Sequence, residues 1–126
     1  RRVRGQGEGA EVDRARQREV VEAFLDASRH GRFDRLLALL HPDAVMSADA
    51  AAAALGSPPL LTGRDEVARM FSGRAQGARL AGLDGYAAAT WSLRGELKVV
   101  FAFTLEDGLV REIELLAGDL GRLDLT

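Results

Sequence analysis

Apolar residues recur at helical spacing in the first third of the chain and at two-residue spacing in the last third. From Val12 to Arg29 there is no Gly or Pro, and Val20, Phe24 and Ala27 form one stripe that Val21 and Leu25 widen. Asp13 is placed to cap the start of this helix, and Gly31 to end it in the left-handed conformation. Phe33, Leu36, Leu37 and Leu40 mark a second, shorter helix, ended by His41-Pro42. Residues 44–49 read as a strand. The alanine run after Asp49 fits either a helical turn or a loop, and Pro58-Pro59 makes 56–59 a loop. After the extended Leu60-Leu61-Thr62, a third helix carries Val67, Met70 and Phe71 on one face.

Residues 78–84, 86–93, 97–105 and 109–117 then read as strands separated by Asp84-Gly85, Arg94-Gly95-Glu96 and Glu106-Asp107-Gly108. Turns of this composition join antiparallel strands. The order predicts an α+β fold with about three helices packed on a curved antiparallel sheet. In the 97–105 strand, Leu97, Val99, Phe101, Phe103 and Leu105 point one way while Val100 and Ala102 point the other. Both faces are apolar, so the outer face of the sheet is expected to be covered, by a second copy in a homodimer or by a neighbouring domain.

Residues 1–11, with three glycines and few apolar positions, read as a linker, and 12–126 as one domain. The start Arg1-Arg2-Val3-Arg4-Gly5 reads as a cut point inside a longer protein. With 17 basic against 19 acidic residues, the chain has no charge excess that would draw it to nucleic acid. The lack of cysteine excludes disulfides and thiolate metal sites and suits a cytoplasmic protein. No apolar run approaches the roughly 20 residues of a membrane span.

The segments Arg16–Leu25 and Phe33–Val45, then Thr62–Arg69, Phe101–Thr104, Gly108–Ala117 and Arg122–Leu125, together resemble a SnoaL-like domain of the nuclear transport factor 2-like superfamily. More narrowly they are similar to the C-terminal domain of one group of extracytoplasmic-function RNA polymerase sigma factors, and Arg1–Arg4 resembles the basic end of the sigma region before it. The resemblance implies the cone-shaped fold of ketosteroid isomerase and the polyketide cyclases. It also implies a regulatory role through contact with the sigma core and RNA polymerase, with a small apolar ligand held in the cone. A stand-alone SnoaL-like cyclase, isomerase or hydrolase of a small hydrophobic substrate is the alternative. Two features depart from the sigma-factor group. Alanines Ala50 to Ala54 stand where glycines usually follow the Asp, and Gly118-Asp119-Leu120 stands where an Asn-Pro motif is usual.

Enzymes of this superfamily use a general base in an apolar cavity, where desolvation raises a carboxylate's pKa. Glu114, in the last strand, and Asp49, at the end of the first, are the catalytic candidates; a solvated strand carboxylate and a turn-former are the plainer readings of the two. Strand periodicity groups Val110, Glu112, Glu114 and Leu116 on one face. Met46, Met70, Trp91, Phe101 and Phe103 are candidates to line the cavity, although such residues usually pack cores. His30 and His41 stand at predicted helix C-termini and read as caps. No spacing points to a metal site and no cofactor is implied.

Overall fold

The computed structural model describes residues 8–74 and 76–126. Helix α1 (Glu8–Arg29) leads into α2 (Phe33–Leu39), β1 (Leu40–Ala48), α3 (Ala50–Ala54), β2 (Leu60–Thr62) and α4 (Arg64–Phe71). Strands β3 (Arg79–Leu83), β4 (Tyr86–Leu93), β5 (Glu96–Glu106) and β6 (Leu109–Leu116) follow, and a 3-10 turn, Leu120–Arg122, lies near the end. Helix α1 begins at Glu8, so Asp13 lies within it rather than at its cap, and the expected linker segment 8–11 is helical. The linker residues before Glu8 lie outside the described residues.

Six strands form one curved sheet in the order β2-β1-β6-β5-β4-β3. The last four make the antiparallel meander the sequence predicts. Its three turns place Asp84-Gly85, Arg94-Gly95 and Asp107-Gly108 at positive φ in both central positions. That is the type I′ geometry whose twist matches a hairpin. The sheet is nevertheless mixed, because β1 runs parallel to β6. Two strands brought side by side by a long crossover can take either direction, and nothing local to β1 reports which. Strand β1 also starts at Leu40, earlier than expected. Its Pro42 is accommodated where the β1–β6 register jumps between Leu40 and Val45.

The concave face holds the main core. Phe24 of α1 meets Phe71 of α4 at 5.2 Å and Phe103 of β5 at 5.5 Å, both edge to face. Gln17, buried among them, donates through Nε2 to the carbonyls of Ala87 (3.0 Å) and Phe103 (2.9 Å), which ties α1 to β4 and β5.

Two bulges break the strict alternation read from the sequence. Trp91 and Ser92 oppose Val99 and Leu97, so Lys98 is an extra residue and Leu97 turns to the outer face with Val100 and Ala102. Thr104 and Leu105 oppose Glu112 and Val110, so Arg111 is extra and Val110 joins Ile113 and Leu115 in the inner core.

The outer face carries a second apolar cluster of Leu83, Ala88, Val100 and Ala102. The chain's own C-terminal segment packs over it. Leu120, Leu123 and Leu125 pack on the cluster. Gly82 and Thr126 exchange backbone hydrogen bonds, and Leu125 bridges to Leu83 at the edge of the sheet. The side chain of Thr126 lies close beside Gly82, where a Cβ would make it turn aside.

Candidate functional site

Between the sheet's concave face and the α3–α4 side lies a cleft of about 330 Å³. Its floor is Trp91, Val99, Phe101 and Leu115 from three neighbouring strands, and its walls are Met70 and Phe71 of α4. Leu55 and Ser57 overhang it from the segment after α3, and Arg74 closes the other side. Met70, Trp91 and Phe101, of the five cavity candidates, line this cleft together. Met46 and Phe103 do not: they are 0% and 5% exposed, and they fill the core beneath the cleft. Leu55, Ser57 and Arg74 were missed because they lie in loops, where neither apolar period marks a residue as facing inward.

Asp49 ends β1 and caps α3. Its Oδ1 accepts from the Ala52 N–H at 2.8 Å. The same carboxylate reaches the end of β6, accepting from Ala117 N–H (3.0 Å to Oδ2) and Gly118 N–H (3.0 Å). Burial pushes its carboxyl upward, but the N–H donors of Ala52, Gly118, Ala117 and Ala51 outweigh burial and hold it below its ordinary value of 3.8. A carboxylate so held is a weak proton acceptor and a good clamp. The alanine tract forms a helix behind this cap, as Ala's high helix propensity favours.

Glu114 lies outside the cone. It pairs in register with Ala102, which belongs to the outer cluster, while its neighbours Ile113 and Leu115 are buried in the inner core. Strand alternation beyond the Arg111 bulge fixes that placement. The two carboxylates proposed from sequence are thus a structural clamp and an outer-face residue.

His30 sits at the end of α1, its Nδ1 2.9 Å from the Asp26 carbonyl, as a cap would. His41 lies in β1 instead of capping α2. His41, Glu106 and Asp107 place three ligand-type atoms within 4.8 Å of one another. Yet Nδ1 accepts the Asp43 N–H at 3.0 Å. In a neutral imidazole that leaves the proton on Nε2, facing Glu106 at 4.0 Å, where a metal would need a lone pair. Arg111 supplies the cation at Glu106 instead, at 3.3 Å. A larger open groove of about 460 Å³ runs between α1 and the β3–β4 hairpin, with Arg14 5.9 Å over the Tyr86 ring. It shares no lining residue with the cleft.

The solved structures that resemble this one share the cone. Mycobacterium tuberculosis extracytoplasmic function sigma factor SigJ is 26% identical with a TM-score of 0.64, over 87% of this chain and 45% of that one. The chain therefore spans about half the length of that relative. An NTF-2 like protein of unknown function from Burkholderia xenovorans LB400 is 19% identical with a TM-score of 0.57, over 83% of this chain and 84% of its own. An M. tuberculosis LEH-like epoxide hydrolase is 21% identical with a TM-score of 0.56, over 83% and 80%. At these identities the last two establish the fold alone. No curated protein matches the chain in sequence. No helix among the described residues is long and apolar enough to cross a membrane. The SnoaL-like domain family matches residues 21–113, which cover the core of the cone from α1 to β6, and the chain belongs to that family.

Proposed function

We propose that this chain is a regulatory SnoaL-like domain of an extracytoplasmic-function sigma factor, working in the cytoplasm by contact with the sigma core, with a small ligand in its cone as the tuning signal. The cleft's lining carries the reading. Its nine residues offer apolar surface, one hydroxyl and one guanidinium, a set that holds a molecule rather than moving its protons. Asp49 is occupied by backbone donors and Glu114 lies on the other side of the sheet, so neither serves the cleft as a base. The 26% identity to SigJ across 87% of the chain supports the sigma-factor setting.

The test is transcription by RNA polymerase with the sigma factor that carries this domain, against the same protein lacking residues 12–126. A changed initiation rate or promoter affinity is the expected result. Unchanged transcription by a folded, active core would overturn the regulatory assignment and favour a search for turnover of small apolar substrates.

A further inference from the structure

Arg74 is the one charged residue among the nine that line the cleft. Among the described residues no carboxylate lies within ion-pair distance of its guanidinium, and what sets it apart from the other arginines is its place in the lining of the cleft. Trp91, Phe101 and Met70 line the same cleft, and Ser57 adds a hydroxyl to it. A guanidinium without a counter-ion beside an apolar wall presents five N–H donors to whatever enters, and its fork matches a carboxylate. At about 330 Å³ the space is at the small end of ligand sites, which run from roughly 300 to 1,000 Å³.

We infer that the cone selects a small amphipathic anion: a monocarboxylate whose compact alicyclic or aryl body rests on Trp91 and Phe101 and whose carboxylate pairs with Arg74. The inference rests on the reading of the cleft as a ligand-binding site, and it deepens that reading by naming the ligand's chemical class. Leu55, 58% exposed and overhanging the same space, would be covered when the body is seated. The short α3 that presents Leu55 is fixed at its start by the Asp49 clamp, so the rim is positioned before the ligand arrives.

The chain has one tryptophan, and it lies in the cleft, so its emission reports occupancy directly. The probes are cyclohexylacetate and its neutral amide, cyclohexylacetamide, which match in shape and do not absorb where Trp91 does. Titration of the chain at low salt is expected to show the carboxylate binding about tenfold more tightly than the amide, the scale of one charge-assisted contact at a solvent-reaching site. The Arg74→Gln variant is expected to bring the two affinities together, and Arg74→Lys to restore part of the difference. Arg74 is exposed and in a loop, so these variants are expected to fold; unchanged thermal unfolding checks it.

Equal affinities in the unaltered chain, a preference that persists in Arg74→Gln, or no binding of either probe would each overturn the inference. Failure here is separable from failure of the regulatory reading. A domain that alters transcription but ignores the charge of the probe keeps its role and loses this ligand class. One that prefers the anion but leaves transcription unchanged does the reverse.

Discussion

Replacing Asp49 by Ala removes one carboxylate and three kinds of support at once. The α3 helix loses its N-cap bond at Ala52, worth about 1 kcal/mol. The half-buried Ala117 N–H and the Gly118 N–H lose an ionised acceptor, adding about 2 kcal/mol after allowance for the solvent that reaches Gly118. The sum is about 3 kcal/mol, read as urea unfolding followed by Trp91 emission. With a denaturant slope of roughly 1.5–2 kcal/mol per molar, the midpoint should fall by about 1.5–2 M at pH 7. Asp49→Asn should lie nearer to Ala than to the parent, because its NH2 group replaces an oxygen that faces backbone N–H donors. The pH dependence has a fixed sign. The folded carboxyl is held below its ordinary value of 3.8, so its contribution is whole above that value and is lost as pH falls through the lower folded one. The gap between parent and Asp49→Ala should therefore narrow in strong acid, leaving what the protonated carboxyl still contributes. Midpoints within about 0.3 M of each other at pH 7, or a gap that grows as the pH falls, would refute the clamp.

Gln17→Leu keeps the side chain's bulk but strands the Ala87 and Phe103 carbonyls under α1. It is expected to cost about 2–3 kcal/mol and to lower the thermal midpoint by roughly 6–12 °C in calorimetry. Asp in place of both Leu123 and Leu125 should lift the C-terminal segment from the outer sheet face, exposing Leu83, Val100 and Ala102. Light scattering should then show more self-association than in the parent chain; a variant no more associated than the parent would show that this face needs no cover.

It is the backbone exchange between Gly82 and Thr126, together with the three leucines, that holds this covering in place.

The local signals in the chain were enough to write its elements. Three turns carrying Gly at positive φ divided the last third into four strands, since a two-residue turn needs only its own dihedrals. Gly31, at φ 64°, ended α1 for the same local reason. Met46, Met70, Trp91, Phe101 and Phe103 were legible as inward-facing apolar residues, but periodicity did not separate those that line the cleft from those in the core beneath it. What the chain could not declare locally is everything that depends on a partner strand. The bulges at Lys98 and Arg111 exist only in register with Trp91–Ser92 and Thr104–Leu105, and each reverses the side on which later or earlier residues fall. That parity decided that Val110 is core and that Glu114 faces away from the cone. The parallel pairing of β1 with β6, the reach of Asp49 across 68 residues to Ala117, and the folding of Leu120, Leu123 and Leu125 over the outer face are likewise contacts between distant segments. Periodicity records which residues avoid water; only the packed sheet decides which neighbour shields them.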